Sequence, residues 1–319
     1  MLDFYMMSYY MSVGGYLVLM ISVLIGVAFL TLYERKFLGY VQLRKGPNKL
    51  GFMGLLQPFS DALKLFSKEY LLSYNFNYII YLVSPVFMLA FSLFIWVLVP
   101  FMSNLWELDL GVLFLLSMLS IGVYPIMYSG WASNSVYSLL GSMRAVAQSI
   151  SYEVSLAMIF VLVVFLVDSF DLYEMMVYQL NLALLIYNFP LFGVFIVSSI
   201  AELNRSPFDF VEGESELVSG FNVEYASGLF AFLFLSEYSM IMFFSVLVLT
   251  MFVGGTWFNF VSYFVIMVVF SGVILIRGTY PRFRYDKLMG VAWKSLLPFV
   301  LCYFVFILGV KFTLMCVMI

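Results

Sequence analysis

The chain has 319 residues, 64% of them hydrophobic and 10% charged, with a net charge of −3. A soluble domain carries roughly 25% charged residues to wet its surface, so this composition excludes a water-solvated globule, and so small a net charge gives no case for a nucleic-acid partner. There is no histidine, which removes imidazole metal ligands and histidine proton relays, and Cys302 and Cys316 form neither a CxxC pair nor a disulfide framework.

The apolar stretches are continuous rather than alternating, which predicts an all-α polytopic membrane protein and not a β-barrel. Residues 1–319 read as a single membrane domain without internal repeats. About eight spans are predicted, near 11–33, 78–101, 110–130, 145–167, 180–201, 224–251, 258–277 and 294–317. The first has no Lys or Arg before Arg35 and is long enough to span, so it reads as a helix and not as a cleaved signal. The polar stretch Glu34–Asn77 follows. Within it Leu55, Phe59, Leu63 and Phe66 share one face and Ser60, Asp61, Lys64 and Lys68 the other, which predicts a short interfacial amphipathic helix with Pro58 in its first turn.

Fourteen of the fifteen Lys and Arg residues fall in or beside the odd-numbered loops, and only Lys311 lies near the other side. By the positive-inside rule those loops face the matrix or cytoplasm, with both termini opposite. An even number of spans is then required.

Charges inside this apolar frame need an explanation. Glu153 lies nine residues beyond Arg144, about 13 Å into the fourth span, in a half-helix wetted by Gln148, Ser149, Ser151 and Ser155. Glu237 sits in the sixth span between Ser236 and Ser239. An acid at the bilayer centre costs about 2.5–3.5 kcal/mol, so it pairs with a cation, lines water or holds a proton. Water-lining or proton-holding would suit a proton path; inert protonation or a structural ion pair is the alternative. The loop Ala201–Tyr225 gathers Glu202, Asp209, Glu212, Glu214, Glu216 and Glu224 around one cation, Arg205, with Phe208, Phe210 and Phe221 interleaved. Repelling acids suit a proton-loading cluster; a solvated loop is the plain reading, and no spacing matches a calcium loop. The basic stretches from Glu34 and from Arg277 suit lipid headgroups or a soluble docking partner.

Five strings in register across nearly the whole chain carry a resemblance: Glu34–Gly51, Gln57–Glu69, Leu139–Ala157, Ala201–Tyr225 and Arg277–Met289. They resemble the chain 1 family of respiratory NADH:ubiquinone oxidoreductase, complex I, of the mitochondrially encoded type; the wealth of Phe, Tyr and Met agrees with organellar coding. The resemblance implies a mitochondrial inner-membrane subunit with odd loops facing the matrix and termini facing the intermembrane space. It implies no redox centre and no metal on this chain, with NADH, FMN and iron–sulfur clusters on partner subunits and ubiquinone as substrate. The hydrophilic arm docks on the odd loops, antiporter-like subunits lie alongside, and phospholipids surround it.

Carried over by motif, Arg35, Asp61, Phe208, Phe221 and Arg282 belong to the quinone tunnel. Glu153, Glu202, Asp209, Glu212, Glu214, Glu216, Glu224 and Glu237 belong to the proton path, with Arg144, Arg205 and Arg284 as charge partners. Leu203, Ser206 and Val211 depart from the family pattern. Rival readings are a standalone cation/proton antiporter, which lacks the expected repeats, the related anchor of membrane-bound hydrogenases, and a purely structural anchor.

Overall fold

The computed structural model describes residues 2–70, 74–100, 108–180, 182–210, 213, 220–255 and 259–318, and all regular structure among them is helical. Helix α1 spans Leu2–Val41, α2 Gln57–Ser67, α3 Tyr78–Phe94, α4 Gly111–Ala132 and α5 Val136–Val167. Two short helices, α6 (Leu172–Tyr178) and α7 (Leu184–Tyr187), precede α8 (Phe189–Glu202). Then follow α9 (Ser227–Val248), α10 (Phe260–Thr279), α11 (Tyr285–Gly290) and α12 (Leu297–Met318). A π-helical segment, Leu249–Val253, extends α9, and another, Val291–Leu296, joins α11 to α12.

Seven segments among the described residues are long and apolar enough to span: Ser12–Val41, Tyr78–Leu98, Gly111–Ala132, Val136–Val167, Ser227–Val253, Phe260–Thr279 and Tyr285–Cys316. The expected eighth, near 180–201, is shorter. Pro190 stands in the first turn of α8 and forces the helix to begin there. Its 14 residues rise about 21 Å, less than the roughly 30 Å apolar slab. The apolar window before it is split among α6, α7 and a turn. The chain is an all-α polytopic membrane protein with seven full-length candidate spans and one short apolar helix.

Three boundaries move in ways that matter. Helix α1 runs past residue 33 to Val41, because nothing breaks it before Gly46–Pro47, so Glu34 and Arg35 are helical rather than in a loop. Helix α5 starts at Val136, which puts Arg144 inside it. The last span is continuous from Tyr285 rather than starting near 294, because the π segment carries the helix through the end of the expected loop. The amphipathic α2 forms as predicted, with Pro58 in its first turn. Its Phe59 ring meets Phe29 of α1 edge-on at 5.9 Å, and Phe66 meets Phe232 of α9 at 6.1 Å.

The core is α3, α4, α5, α8 and α9, with Leu115, Leu156, Ile159, Phe160, Phe195, Phe243 and Phe252 fully enclosed. Small residues let the backbones approach, as they do between membrane helices. A β-carbon on Gly130 of α4 would run into the Ser142 side chain of α5, and one on Gly141 would lie 3.0 Å from Gly220. On the far side, Asp168 caps α5 in the left-handed conformation (φ 61°), and its carboxylate accepts from Lys311 of α12 at 2.6 Å. The predicted lone cation of that side thus ties the last helix to α5.

Candidate functional site

The carboxyl end of α8, the middle of α5 and the first half of α9 meet around a cavity of about 90 Å³. Its polar wall is Ser92, Ser149, Glu202, Asn204, Arg205, Ser206, Asp209, Ser236, Glu237 and Arg277, and Phe221 closes it with the methionines Met88, Met118 and Met240. Two buried polar atoms of that wall have no hydrogen-bond partner among the described residues: Glu202 Oε2 and Asn204 Oδ1. A polar cavity of this size with two such acceptors in its wall fits several waters. The sequence places these groups together because α8 ends within the motif AELNR: Asn204 takes a left-handed φ of 51°, and the chain folds back under α8.

Arg205 is the hinge of the charges. It is buried, lies 3.5 Å from Glu237 Oε2, and stacks over the Tyr238 ring at 4.4 Å. On the other side of that ring, the Tyr238 hydroxyl donates to Glu34 Oε2 at 2.5 Å. Glu34 Oε1 accepts from the Arg277 guanidinium. Residues from α1, α9, α10 and the loop after α8 thus form one chain of contacts, Arg277–Glu34–Tyr238–Arg205–Glu237. The next residue on α1, Arg35, pairs with Asp61 of α2 at 2.5 Å, and Gln57 holds the other oxygen of Asp61 at 2.9 Å. That pair is largely exposed, whereas Glu34 is buried.

The stem of the acidic loop is clamped at both ends. At its start, Arg282 donates to Asp209 at 3.1 Å, the Phe283 amide donates to the Pro207 carbonyl at 3.0 Å, and the Phe208 and Phe283 rings stack at 5.5 Å. At its end, Tyr225 stacks on Tyr81 at 4.4 Å, and Tyr81 on Phe76 at 4.8 Å. The Tyr81 hydroxyl donates to the Glu224 carbonyl at 2.8 Å, and the Tyr225 and Ser84 hydroxyls share a hydrogen bond at 3.1 Å. Burial pushes the Tyr225 phenol above its ordinary range, only partly offset by the Ser84 bond, so it stays a neutral structural group.

Of the residues singled out in the sequence, Glu202, Asp209, Phe221, Glu237 and Arg205 share the cavity. Glu153 does not line it. It sits half-buried on α5, takes a hydrogen bond from Ser120 of α4, and is close enough to Glu202 for the two to interact electrostatically. Arg282 reaches the cavity through Asp209. Phe208 lies behind it, packed on Tyr152 at 6.2 Å. Arg144 is half-buried on α5, one turn before Gln148. Glu224 contributes its backbone to the aromatic stack, and Arg284 pairs at the surface with Asp286 at 3.1 Å. Glu212, Glu214 and Glu216 lie outside the described residues. No group of three metal-ligating side chains occurs among the described residues.

Sequence reasoning missed Glu34, Tyr238, Arg277 and Gln148. In the sequence Glu34 and Arg277 look like loop charges because each stands at the polar end of an apolar run. A tyrosine beside Glu237 was a signal left unused.

A bundle of helices long and apolar enough to span a bilayer, with a buried series of acids and cations between them, defines a polytopic membrane protein with an internal charged network. Comparison gives the family. The sequence model of the NADH dehydrogenase family matches residues 15–308. NADH-ubiquinone oxidoreductase chain 1 of Aedes aegypti is 54% identical over 305 residues, covering 96% of this chain and 97% of the relative. The protein of that name from Locusta migratoria is 51% identical over 306 residues (96% and 97%), and that from Monodelphis domestica 48% over 292 (89% and 92%). The chain belongs to the NADH dehydrogenase family represented by these chain 1 proteins.

Proposed function

We propose that this chain is the core membrane subunit of complex I that walls the ubiquinone-access tunnel and begins the proton path coupled to quinone reduction. The observation that carries the reading is a series of polar residues leading from the α2 surface to the interior, some in direct contact and some sharing one cavity. It starts at Asp61–Arg35, steps to the adjacent Glu34, and continues through Tyr238 and Arg205 to Glu237, Glu202 and Glu153. An isoprenoid tail would enter between α1, α2 and α9, past the Phe29–Phe59 and Phe66–Phe232 ring pairs. The head group would pass Arg35, Asp61, Phe221, Phe208 and Arg282.

Ubiquinone is the substrate in this reading. The chain holds no redox centre, and NADH, FMN and iron–sulfur clusters belong to partner subunits in the hydrophilic arm. That arm docks on the odd loops at the matrix side, the antiporter-like subunits lie laterally, and the termini face the intermembrane space of the mitochondrial inner membrane. Reduction of the quinone consumes protons and leaves negative charge near the run of acids. A unit charge at 4 Å is worth about 4 kcal/mol at an effective dielectric constant of 20, enough to change which carboxylate holds a proton. Waters in the cavity carry the exchange among Glu202, Asp209 and Glu237, and Glu153 passes it outward. The loop acids Glu212, Glu214 and Glu216 load the cavity from the matrix side.

Membership in the complex is tested on a native gel of mildly solubilised membranes stained for NADH oxidation. This chain is expected in a very large NADH-oxidising band by mass spectrometry. Its migration alone, or in a band without that activity, would sink the proposal.

A further inference from the structure

Gln148 is fully enclosed in α5, and its side-chain amide makes an unusual pair of bonds. Nε2 donates at 2.8 Å to the carbonyl of Ala201 and at 2.8 Å to the carbonyl of Phe208. Each of these carbonyls belongs to the peptide bond immediately before an acid of the cavity, Glu202 in one case and Asp209 in the other. Between them the chain makes the tight return through Asn204, with Phe208 bonded back to the Arg205 carbonyl at 2.8 Å. Each carbonyl also accepts a local backbone bond, Ala201 from the Asn204 amide at 3.2 Å and Phe208 from the Phe210 amide at 3.1 Å; the Gln148 nitrogen is what ties the two peptides to each other and to α5, closing the return.

Only a primary amide on a two-methylene stem supplies this. A carboxylate would face two carbonyl oxygens without a hydrogen, and asparagine is a methylene too short to reach both. Rotation of the amide would do the same as a carboxylate, so both hydrogens lock its orientation. The arrangement leaves Gln148 Oε1 buried without a partner among the described residues, a cost that the fold accepts to hold the two carbonyls.

We infer that Gln148 is a positioning residue for proton transfer: it holds Glu202 and Asp209 at the cavity by fixing the peptides before them. The inference rests on the proton-path reading given above. The fold contains its own control. Gln179, also buried, uses Nε2 in the same way, donating to the Met175 carbonyl at 2.9 Å and to the Thr250 carbonyl at 3.0 Å, again with Oε1 unpartnered. That staple joins α6 to the π segment after α9 and touches no acid of the cavity.

The experiment compares Gln148→Met, Gln179→Met and Glu202→Gln in the assembled complex, purified and reconstituted in liposomes. Both methionine variants lose the same pair of hydrogen bonds, so both lower the inactivation temperature. Only Gln148→Met shifts the pH profile of ubiquinone reduction and lowers the protons moved per electron. Its turnover at saturating quinone falls about tenfold, two hydrogen bonds' worth of misplacement, with the quinone KM nearly unchanged. If Gln148→Met keeps the wild-type pH profile and proton ratio while Glu202→Gln lowers that ratio, the positioning role is overturned and the proton route stands. If neither variant changes it, both fall. Should Gln148→Met fail to assemble, Gln148→Asn, which keeps the amide but reaches one carbonyl, is expected to shift the profile partway; a wild-type profile there overturns the role.

Discussion

The hydroxyl of Tyr238 donates to the carboxylate of Glu34 over 2.5 Å, joining residues 204 positions apart and fastening α9 to the end of α1. Arg277 takes the other carboxylate oxygen, and its guanidinium is more open to solvent than the buried acid. Removing one partner of a buried ion pair is costly because the remaining charge is stranded. Arg277→Met is expected to destabilise the complex by about 3 kcal/mol, and Tyr238→Phe by about 1 kcal/mol. The amount of assembled complex and its thermal inactivation temperature check both, with the arginine variant the worse.

The Arg282–Asp209 bond is partly buried, its arginine side chain 29% and its aspartate 11% exposed, and a glutamine at 282 would still offer the carboxylate an N–H donor. Its effect should appear in the reaction as well. Arg282→Gln is expected to cost about 1 kcal/mol of stability, while raising the KM for ubiquinone. Electron flow from NADH to an artificial acceptor, which does not need the membrane site, should be unchanged in the same preparation.

The stack of Phe76, Tyr81 and Tyr225 anchors the far end of the acidic loop by packing and two hydroxyl bonds. Tyr81→Ala should cost about 3–5 kcal/mol, as large aromatic truncations do, and Tyr225→Phe about 1 kcal/mol. Differential scanning calorimetry of the purified complex would resolve the difference in size.

Gly130 gives a test of helix approach. A β-carbon there meets the Ser142 side chain and the Ser138 carbonyl, so Gly130→Ala forces α4 and α5 apart. Overpacking of this kind costs about 1–3 kcal/mol. The double variant Gly130→Ala with Ser142→Gly should recover part of the lost inactivation temperature, because the clashing hydroxymethyl is gone.

Much of the fold is legible in the sequence because a bilayer demands long apolar runs, and the charges between them stand out. The amphipathic α2 was readable from the spacing of Phe59, Leu63 and Phe66, with Pro58 at its start. The short α8 was not, because hydropathy averages over Pro190, while the helix cannot. The acids of the site were visible as misfits in apolar surroundings. Their partners were less so: Glu34 and Arg277 are ordinary interfacial charges until helices 243 positions apart in sequence are brought side by side. Gln148 looked like one more wettable residue of α5, since only the returning chain supplies the two carbonyls that give it a task.

The central claim is that buried carboxylates of this chain couple quinone reduction to proton movement, and Glu153 tests it most directly because it lies outside the cavity lining yet interacts with Glu202. The measurement is the number of protons moved per electron by the assembled Glu153→Gln complex in liposomes, with ubiquinone reduction followed in the same vesicles. The account predicts normal assembly with quinone reduction that is blocked or proceeds with a lowered proton ratio. Wild-type turnover at the wild-type ratio would contradict it.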